Sequence, residues 1–490
     1  MASEIGKDVE AVTVQCENQL DGNVQLPKGW LYHRPGIGSW RLPYYASPIV
    51  QLFYVAVIFF LCPGMYNALS GLGGGGQIDA KVNDNATVAL YSTFAVVAFF
   101  SGTVCNKLGV RITLTMGCFS YALYIASFLS YNHTGNAAFV IVAGALLGAS
   151  AALLWAAETV IVISYPPENK KGRYIAIFWM IFNFGAVIGA LVSLTQNLHS
   201  DKGGYVGDST YIAFLVLTTL GTVLAMVICN ADRIIRDDGS KVILMKHPTW
   251  RSEILGLWEV LRTDAYIIAL FPMFLASNWF YTYQFNDFNL ARFNVRTRAL
   301  NSLIYWCSQI LGACIWGSLL DVSSFSRKTR ARAGLVALFV ITMGLWGGGY
   351  AFQMTYDRES AILQDNTLDW TSSNYGGLAV LYLFYGVFDS IWQTYTYWIL
   401  GALSNNSRKL TILAGFYKAI QSAGAAIVYR LDALKMPYMS IFASTWALCA
   451  AGLVFAAPVI WTKITNHTEL DKDVKFSDEM EEDLSKKVSE

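Results

Sequence analysis

A chain of 490 residues that is 54% hydrophobic and only 14% charged is unlike a soluble domain, in which about a quarter of the residues carry charge. Its formal charge of +1, from 35 Lys and Arg against 34 Asp and Glu, excludes a partner held by a strong basic field, nucleic acid above all. The composition is that of an all-α integral membrane protein, with the lipid bilayer as its first partner.

Residues 1–43 are polar and lack the short apolar core and cleavage site of a signal peptide, so the first apolar run is expected to act as its own insertion signal. Runs of about 20 residues lie at 46–70, 86–105, 112–131, 137–163, 174–196, 211–229, 264–284, 299–320, 333–352, 376–401, 410–430 and 438–461. Twelve transmembrane helices are therefore expected. The long interruption at 230–263 divides them into two sets of six, with an amphipathic helix around ILGLWEVL, 254–261. The expected organisation is a tail, 1–43, a six-helix half, 44–229, a linker, 230–263, a second half, 264–461, and an acidic tail, 462–490. Placing both termini in the cytoplasm puts 26 of the 35 Lys and Arg residues inside and 8 outside, which is the orientation that positive charge favours. The membrane is the plasma membrane or an endomembrane. Two sequons, at Asn85 and Asn132, then face outwards as glycosylation candidates.

The first run ends in FLCPGMYNALSGLGGGGQ, 60–77. Gly71, Gly73 and Gly76 satisfy G-x-G-x-x-G, but that pattern binds a dinucleotide only between a strand and a helix, and here an apolar helix precedes it. Pro63 and Gly64 are expected to break span 1, as Pro272 is expected to break span 7, and paired broken helices point to a binding site. Asn67 follows the first break; Asn278, Trp279 and Tyr283 follow the second. The glycine run 73–76 reads either as an outer hinge or as an ordinary loop.

Three ionisable residues fall inside expected spans: Glu158, Asp389 and Lys418. Charges in lipid are costly and mark function by default. Gln393 lies four residues after Asp389 and Gln421 three after Lys418, so each pair shares a helical face. Asp389 and Lys418 are expected to pair between spans 10 and 11, either as a coupling site for a proton or cation or as structural glue. Glu158 is expected to pair with Arg111 or Arg173. The aromatic stretches WFYTY, 279–283, and WQTYTYW, 392–398, suit an organic or cationic solute. All five histidines fall in tails or loops, no outer loop holds a cysteine pair, and no zinc pattern or nucleophile motif occurs. Neither a cofactor, a metal nor an enzymatic activity is expected.

Residues 101–111, SGTVCNKLGVR, resemble the G-x-x-x-D-R-x-G-R signature between spans 2 and 3 of major facilitator proteins. Gly102, Gly109 and Arg111 are in place, whereas Asn106 stands where the family has an acid. Gly317 and Asp321 occupy the corresponding positions of the second half, where Arg327, Lys328 and Arg330 are expected to retain a charged latch. Three longer stretches, CPGMYNALSGLGGGGQ (62–77), FNVRTRALNSLIYWCSQILGA (293–313) and AGFYKAIQSAGAAIVYRLDAL (414–434), resemble the fungal branch of the uncoordinated-type, or Unc-like, family of that superfamily. The resemblance implies a major facilitator fold of two six-helix halves. It also implies a branch described as ion-channel regulators or trafficking proteins, so the expected role is either alternating-access transport of a small solute or ion, or regulation of another membrane protein.

Overall fold

A computed structural model of the chain describes residues 27–37, 40–77, 79–166, 171–199, 204–236, 239, 242, 250–322, 324–362, 367–404 and 407–466. The acidic tail from 467, much of the linker including Lys241 and Lys246, and Asn406 lie outside the described residues, as do the side chains of Asn106 and Arg408.

Among the described residues, ten helices are long and apolar enough to cross a membrane. They are span 1, Pro48–Gly71, span 3, Val110–Thr134, span 4, Ala137–Val162, span 5, Arg173–Gln196, span 6, Asp208–Val227, span 7, Ala265–Leu290, span 8, Val295–Leu320, span 9, Arg327–Gln353, span 11, Ile412–Ala433, and span 12, Tyr438–Thr462. Two further long helices complete the twelve: span 2, Ala80–Ala98 with a continuation at Ser101–Leu108, and span 10, Tyr375–Leu403. Both carry buried polar residues that dilute the apolar run, Asn83 and Asp84 in span 2 and Asp389 and Ser390 in span 10. A two-residue hairpin, Gly36–Ile37 with Trp40–Arg41, precedes span 1, and an amphipathic helix, Trp250–Thr263, lies in the linker.

Small residues set the packing within each half. A Cβ on Gly148 of span 4 would sit 1.9 Å from the Leu90 carbonyl oxygen of span 2, and one on Gly386 of span 10 would sit 2.5 Å from that of Tyr305 in span 8. Where lipid removes the hydrophobic drive between helices, such close approach supplies the dispersion that holds them. The halves meet through span 2 against span 11 and span 5 against span 8, a reciprocal arrangement expected of two repeats related by a two-fold axis.

Span 1 is interrupted at Cys62, whose φ and ψ of −101° and −77° separate Pro48–Leu61 from Pro63–Gly71. Gly64 itself serves packing, since a Cβ there would lie 2.9 Å from Gly185 Cα of span 5. In span 7 the break is not at Pro272. That proline opens the helix Phe271–Ala276 at a position where its missing N–H costs nothing. The helix ends instead at Ser277–Trp279 and resumes, with a π-helical stretch at Tyr283–Leu290.

Candidate functional site

Two polar clusters interrupt the apolar interior, one at its centre and one beside the glycine loop. The central cluster begins with the break in span 7, which frees the Ser277 carbonyl from the helical ladder. Gln393 Nε2 of span 10 donates to that oxygen at 2.8 Å and reaches Asp389 Oδ1 at 3.4 Å. Gln421 Nε2 of span 11 donates to Asn278 Oδ1 at 2.7 Å and to Gln393 Oε1 at 3.1 Å, and Lys418 Nζ donates to Gln421 Oε1 at 2.9 Å. Asp389, Gln393, Gln421, Asn278 and Lys418 thus form one chain of contacts across three spans.

Asp389 and Lys418 do not form the direct ion pair expected of them. Asp389 is fully buried and is held by amides and a phenol: Gln309 Nε2 contacts its Oδ2, and Tyr305 Oη lies 3.0 Å from the same oxygen. The carboxylate of span 10 points towards span 8, while the lysine turns towards the first half. Tyr305 Oη is also 2.8 Å from Gln284 Oε1, yet has a single proton to give. If that proton goes to Gln284, the phenol oxygen is free to accept from a protonated Asp389; if it goes to Asp389, Gln284 can turn its unpartnered Nε2 to the phenol oxygen. The site therefore accommodates Asp389 in both protonation states.

Lys418 lies 6.0 Å from the Trp155 ring of span 4, 5.5 Å from Tyr397 and 5.6 Å from Tyr417, distances at which ring quadrupoles attract an ammonium group. Glu158, one turn beyond Trp155, is buried and accepts from Thr159 Oγ1 at 3.2 Å. Its expected pairing with Arg111 or Arg173 is not formed among the described residues. Arg111 instead donates to the Ile228 carbonyl at 2.7 Å, which caps the end of span 6. Glu158 faces Lys418, so the lysine stands between a carboxylate of each half.

The second cluster surrounds the glycine run. Gly73, Gly74, Gly75 and Gly76 all have positive φ, from 56° to 83°, a run of left-handed backbone that only glycine adopts without strain. A Cβ on Gly73 would lie 2.1 Å from the Phe285 carbonyl oxygen of span 7. Arg298, 2% exposed at the start of span 8, donates to the carbonyls of Leu72 at 2.8 Å, Gly73 at 3.0 Å and Gly204 at 3.1 Å. Asn286 Oδ1 accepts from Gly74 N at 2.9 Å, and Asn289 Nδ2 donates to Gly71 O at 2.9 Å. The run is a buried seam between the halves, not a free loop.

Beside it, Asn286 Nδ2 donates to Asp84 Oδ1 of span 2 at 2.8 Å and to Asp432 Oδ2 of span 11 at 2.9 Å. Arg358, in the connection after span 9, pairs with Asp432 and lies 3.7 Å from Asp287 Oδ1. None of these residues is singled out by the sequence reading, because the expected spans end about three to six residues short and leave Asp84, Asp287, Arg298 and Asp432 outside them.

The other candidates scatter. Trp279 donates to Ser444 Oγ at 3.1 Å and Tyr283 packs among Trp346, Tyr385 and Phe442, away from the central chain. Asn67 is half-buried with no described hydrogen bond. Gly109 makes the turn between spans 2 and 3 with φ 81°, and Gly102 lies in the preceding helix. Nothing approaches a Cβ on Gly317, and Asp321 is exposed without a described ion pair, so the expected latch with Arg327, Lys328 and Arg330 is not formed. Asn85 sits inside span 2 and bonds Arg430, while Asn132 bonds both Gln77 and Asp208. Neither sequon is presented on a loop in the folded chain.

The sequence profile described as Major Facilitator Superfamily matches residues 49–429. An UNC93-like protein of Schizosaccharomyces pombe is 50% identical over 94% of this chain and 92% of its own length. UNC93-like protein 1 of Arabidopsis thaliana is 40% identical over 89% and 94%. Among solved structures, a D-xylose–proton symporter superposes with a TM-score of 0.56 over 86% of this chain and all of its own, at 13% identity, a likeness of fold alone. A profile spanning most of the chain and a relative of this identity and coverage settle the kinship: the chain is a multi-pass membrane protein of the major facilitator superfamily and belongs to its UNC93-like family.

Proposed function

We propose that the protein is a secondary transporter that moves a small organic or cationic solute by alternating access, coupled to a proton gradient through Asp389, Lys418 and Glu158. The observation that carries this reading is Lys418, set mid-membrane among aromatic rings between a carboxylate from each half. A lysine bound tightly to one acid would be inert; one bridged to Asp389 through two glutamines can exchange partners when the halves tilt. Two protonation arrangements at Asp389, Tyr305 and Gln284 give the proton a place to enter and leave without stranding a buried donor. Asn278, Gln393 and Gln421 supply amides for a solute hydroxyl or amine. In this proposal both termini and the linker lie in the cytoplasm, as the charge asymmetry favours, and the glycine seam then lies on the outer side.

The test is uptake into proteoliposomes of a panel of sugars, amines and nucleosides under an imposed proton gradient. Accumulation that collapses with a protonophore, and is lost in Lys418→Met, supports the proposal; no gradient-dependent movement of any solute refutes it. Labelling of Lys81→Cys from outside and Arg233→Cys from inside tests the orientation, and the reverse pattern overturns it. A non-transporting role beside another membrane protein is the second reading. It is favoured by Asn106 in place of the family acid and by an Asp321 with no ion pair among the described residues, and recovery of a stable partner with a silent transport assay would select it.

A further inference from the structure

Asp84, Asp287 and Asp432 are 0%, 0% and 3% exposed, and they come from span 2 of one half and from spans 7 and 11 of the other. The Asp84 carboxyl abuts that of Asp432, which also abuts Asp287. Carboxylates have no proton to share unless one is bound, and the donors present do not suffice. Asn286 spends both Nδ2 hydrogens on Asp84 and Asp432, and Arg358 bonds Asp432 and the Met436 carbonyl. Both oxygens of Asp287 and Oδ2 of Asp84 remain buried without a hydrogen-bond partner.

Charge counting reaches the same result. The groups facing the carboxyls are Tyr124 of span 3, Tyr283 of span 7, Tyr356 and Arg358 after span 9, Tyr429 of span 11 and Tyr438 of span 12. Arg358 is the one cation among these described neighbours, against three acids. Arg430, the next arginine, bonds Asn85 instead. Two uncompensated negative charges in a dry interior would cost several kcal/mol, and like charges in contact do not ionise together.

We propose that these three aspartates form a proton-binding site, distinct from the central cluster, that is filled when the halves are closed at the glycine seam and emptied when they part. One proton bridges Asp84 and Asp432 and another bridges Asp287 and Asp432; the step is proton binding alone, with no other bond made or broken. Parting the halves removes Asp84 from Asp432, admits water to each carboxylate and releases the bridging proton. Acid therefore holds the seam shut and alkali lets it open. The proposal rests on the two-half fold and not on solute transport, so it stands or falls independently of the transport reading.

The test is a distance measurement on the full-length protein in nanodiscs, with spin labels at Lys81→Cys and Lys435→Cys, both exposed and on opposite halves, and the exposed Cys314 replaced by serine. Release of one proton allows the ratio of open to closed to rise by up to tenfold per pH unit, so a long-distance population should grow as the buffer is made more alkaline. Asp84→Asn with Asp432→Asn, which supplies permanent amide donors, should abolish the pH response and hold the short distance. A wild-type distribution that ignores pH overturns the proposal whether or not the double variant folds. So does a response that survives in the double variant, or one that follows sodium at fixed pH.

Discussion

Replacing Arg298 by methionine isolates the clamp on the glycine seam. The guanidinium comes from span 8 and donates at 2.8–3.1 Å to the carbonyls of Leu72, Gly73 and Gly204, all in the other half. Methionine fills much of the same volume but donates nothing, so the buried Leu72 carbonyl loses its guanidinium donor, while Gly73 O keeps the bond from Gly76 N and the Gly204 carbonyl lies in a half-buried loop. A buried carbonyl left unsatisfied costs about 1–3 kcal/mol, and the Leu72 loss alone sets the least cost at about 1 kcal/mol. Opening the seam to water relieves that cost, so the variant shifts the closed-to-open balance by at least roughly fivefold, at 1.4 kcal/mol per factor of ten. Hydrogen exchange reports it directly: the amides of Gly74, Gly76 and Val206 are bonded only within the seam, to Asn286 Oδ1, Gly73 O and Gly76 O. Their exchange should accelerate by about that factor while amides in the middle of span 9, which has no part in the seam, stay unchanged. Seam amides that keep their protection within threefold or so, by the same scale, would refute the assignment of Arg298 as the clamp.

Gly73→Ala should cost at least about 2–3 kcal/mol and lower the melting temperature of the purified protein, because φ is 75° and the new Cβ would meet Phe285 O. Gly317→Ala, whose Cβ meets nothing, should be neutral within about 0.5 kcal/mol or slightly stabilising, and equal effects of the two would sink the distinction. Asp369 accepts from Arg296 Nε and Nη2 at 2.8 and 2.7 Å, from Asn294 and from Thr371, and the guanidinium holds its carboxyl well below the usual range. Asp369→Asn should cost about 1–3 kcal/mol at neutral pH. Because the folded value is depressed, that contribution is complete above about pH 4 and shrinks as pH falls further; a wild-type advantage in melting temperature that grows in acid would contradict it. Asp389→Asn and Lys418→Met, singly, should each cost less than about 2 kcal/mol, since no direct ion pair is broken, against the 3–5 kcal/mol expected when a buried pair loses one member. Thermal unfolding of the two single variants and the double decides between a glutamine-bridged network and a pair.

The architecture was legible in the sequence because lipid demands it: twelve apolar runs, a central charged break and two sets of six need no tertiary information. The central cluster was legible residue by residue, since Asp389, Lys418 and their glutamines stand out against apolar neighbours, but its geometry was not. A sequence gives the depth of a charge along a helix and not the direction its side chain takes, so Asp389 turned towards Tyr305 and Gln309 instead of Lys418. The glycine-seam cluster escaped for a different reason. Hydropathy ends a span where polarity begins, and here the helices continue past that point: span 2 begins at Ala80 and not 86, and span 7 runs to Leu290 and not 284. Asp84 and Asp287 fall outside the expected spans, yet they are helical and buried. The four glycines were the available signal, because consecutive positive φ values and contacts too close for a Cβ mark backbone packed tightly against its neighbours.

Span 7 belongs to both clusters, and this constrains how they communicate. Ser277 and Asn278 hold Gln393 and Gln421 at the centre, while Asn286 and Asp287 hold Asp84 and Arg358 at the seam, a separation of about 12 Å at 1.5 Å per residue. A continuous α-helix would fix the rotation of one group relative to the other. The turn at Ser277–Trp279 and the π-helical stretch at Tyr283–Leu290 instead leave the intervening turn, Phe280–Thr282, as a short insert between two irregular segments. Irregular backbone at this depth persists only where it is buried in protein or lines a wet cavity, and here its freed groups are the ones both clusters use. Lys418 and Asp432 lie 14 residues apart on span 11, and that helix is unbroken, so a tilt of span 11 moves the lysine and the aspartate together. One rigid helix and one jointed helix therefore run side by side between the two sites, and relative motion between them changes the contacts of Gln421 with Asn278 at one end and of Asp432 with Asn286 at the other.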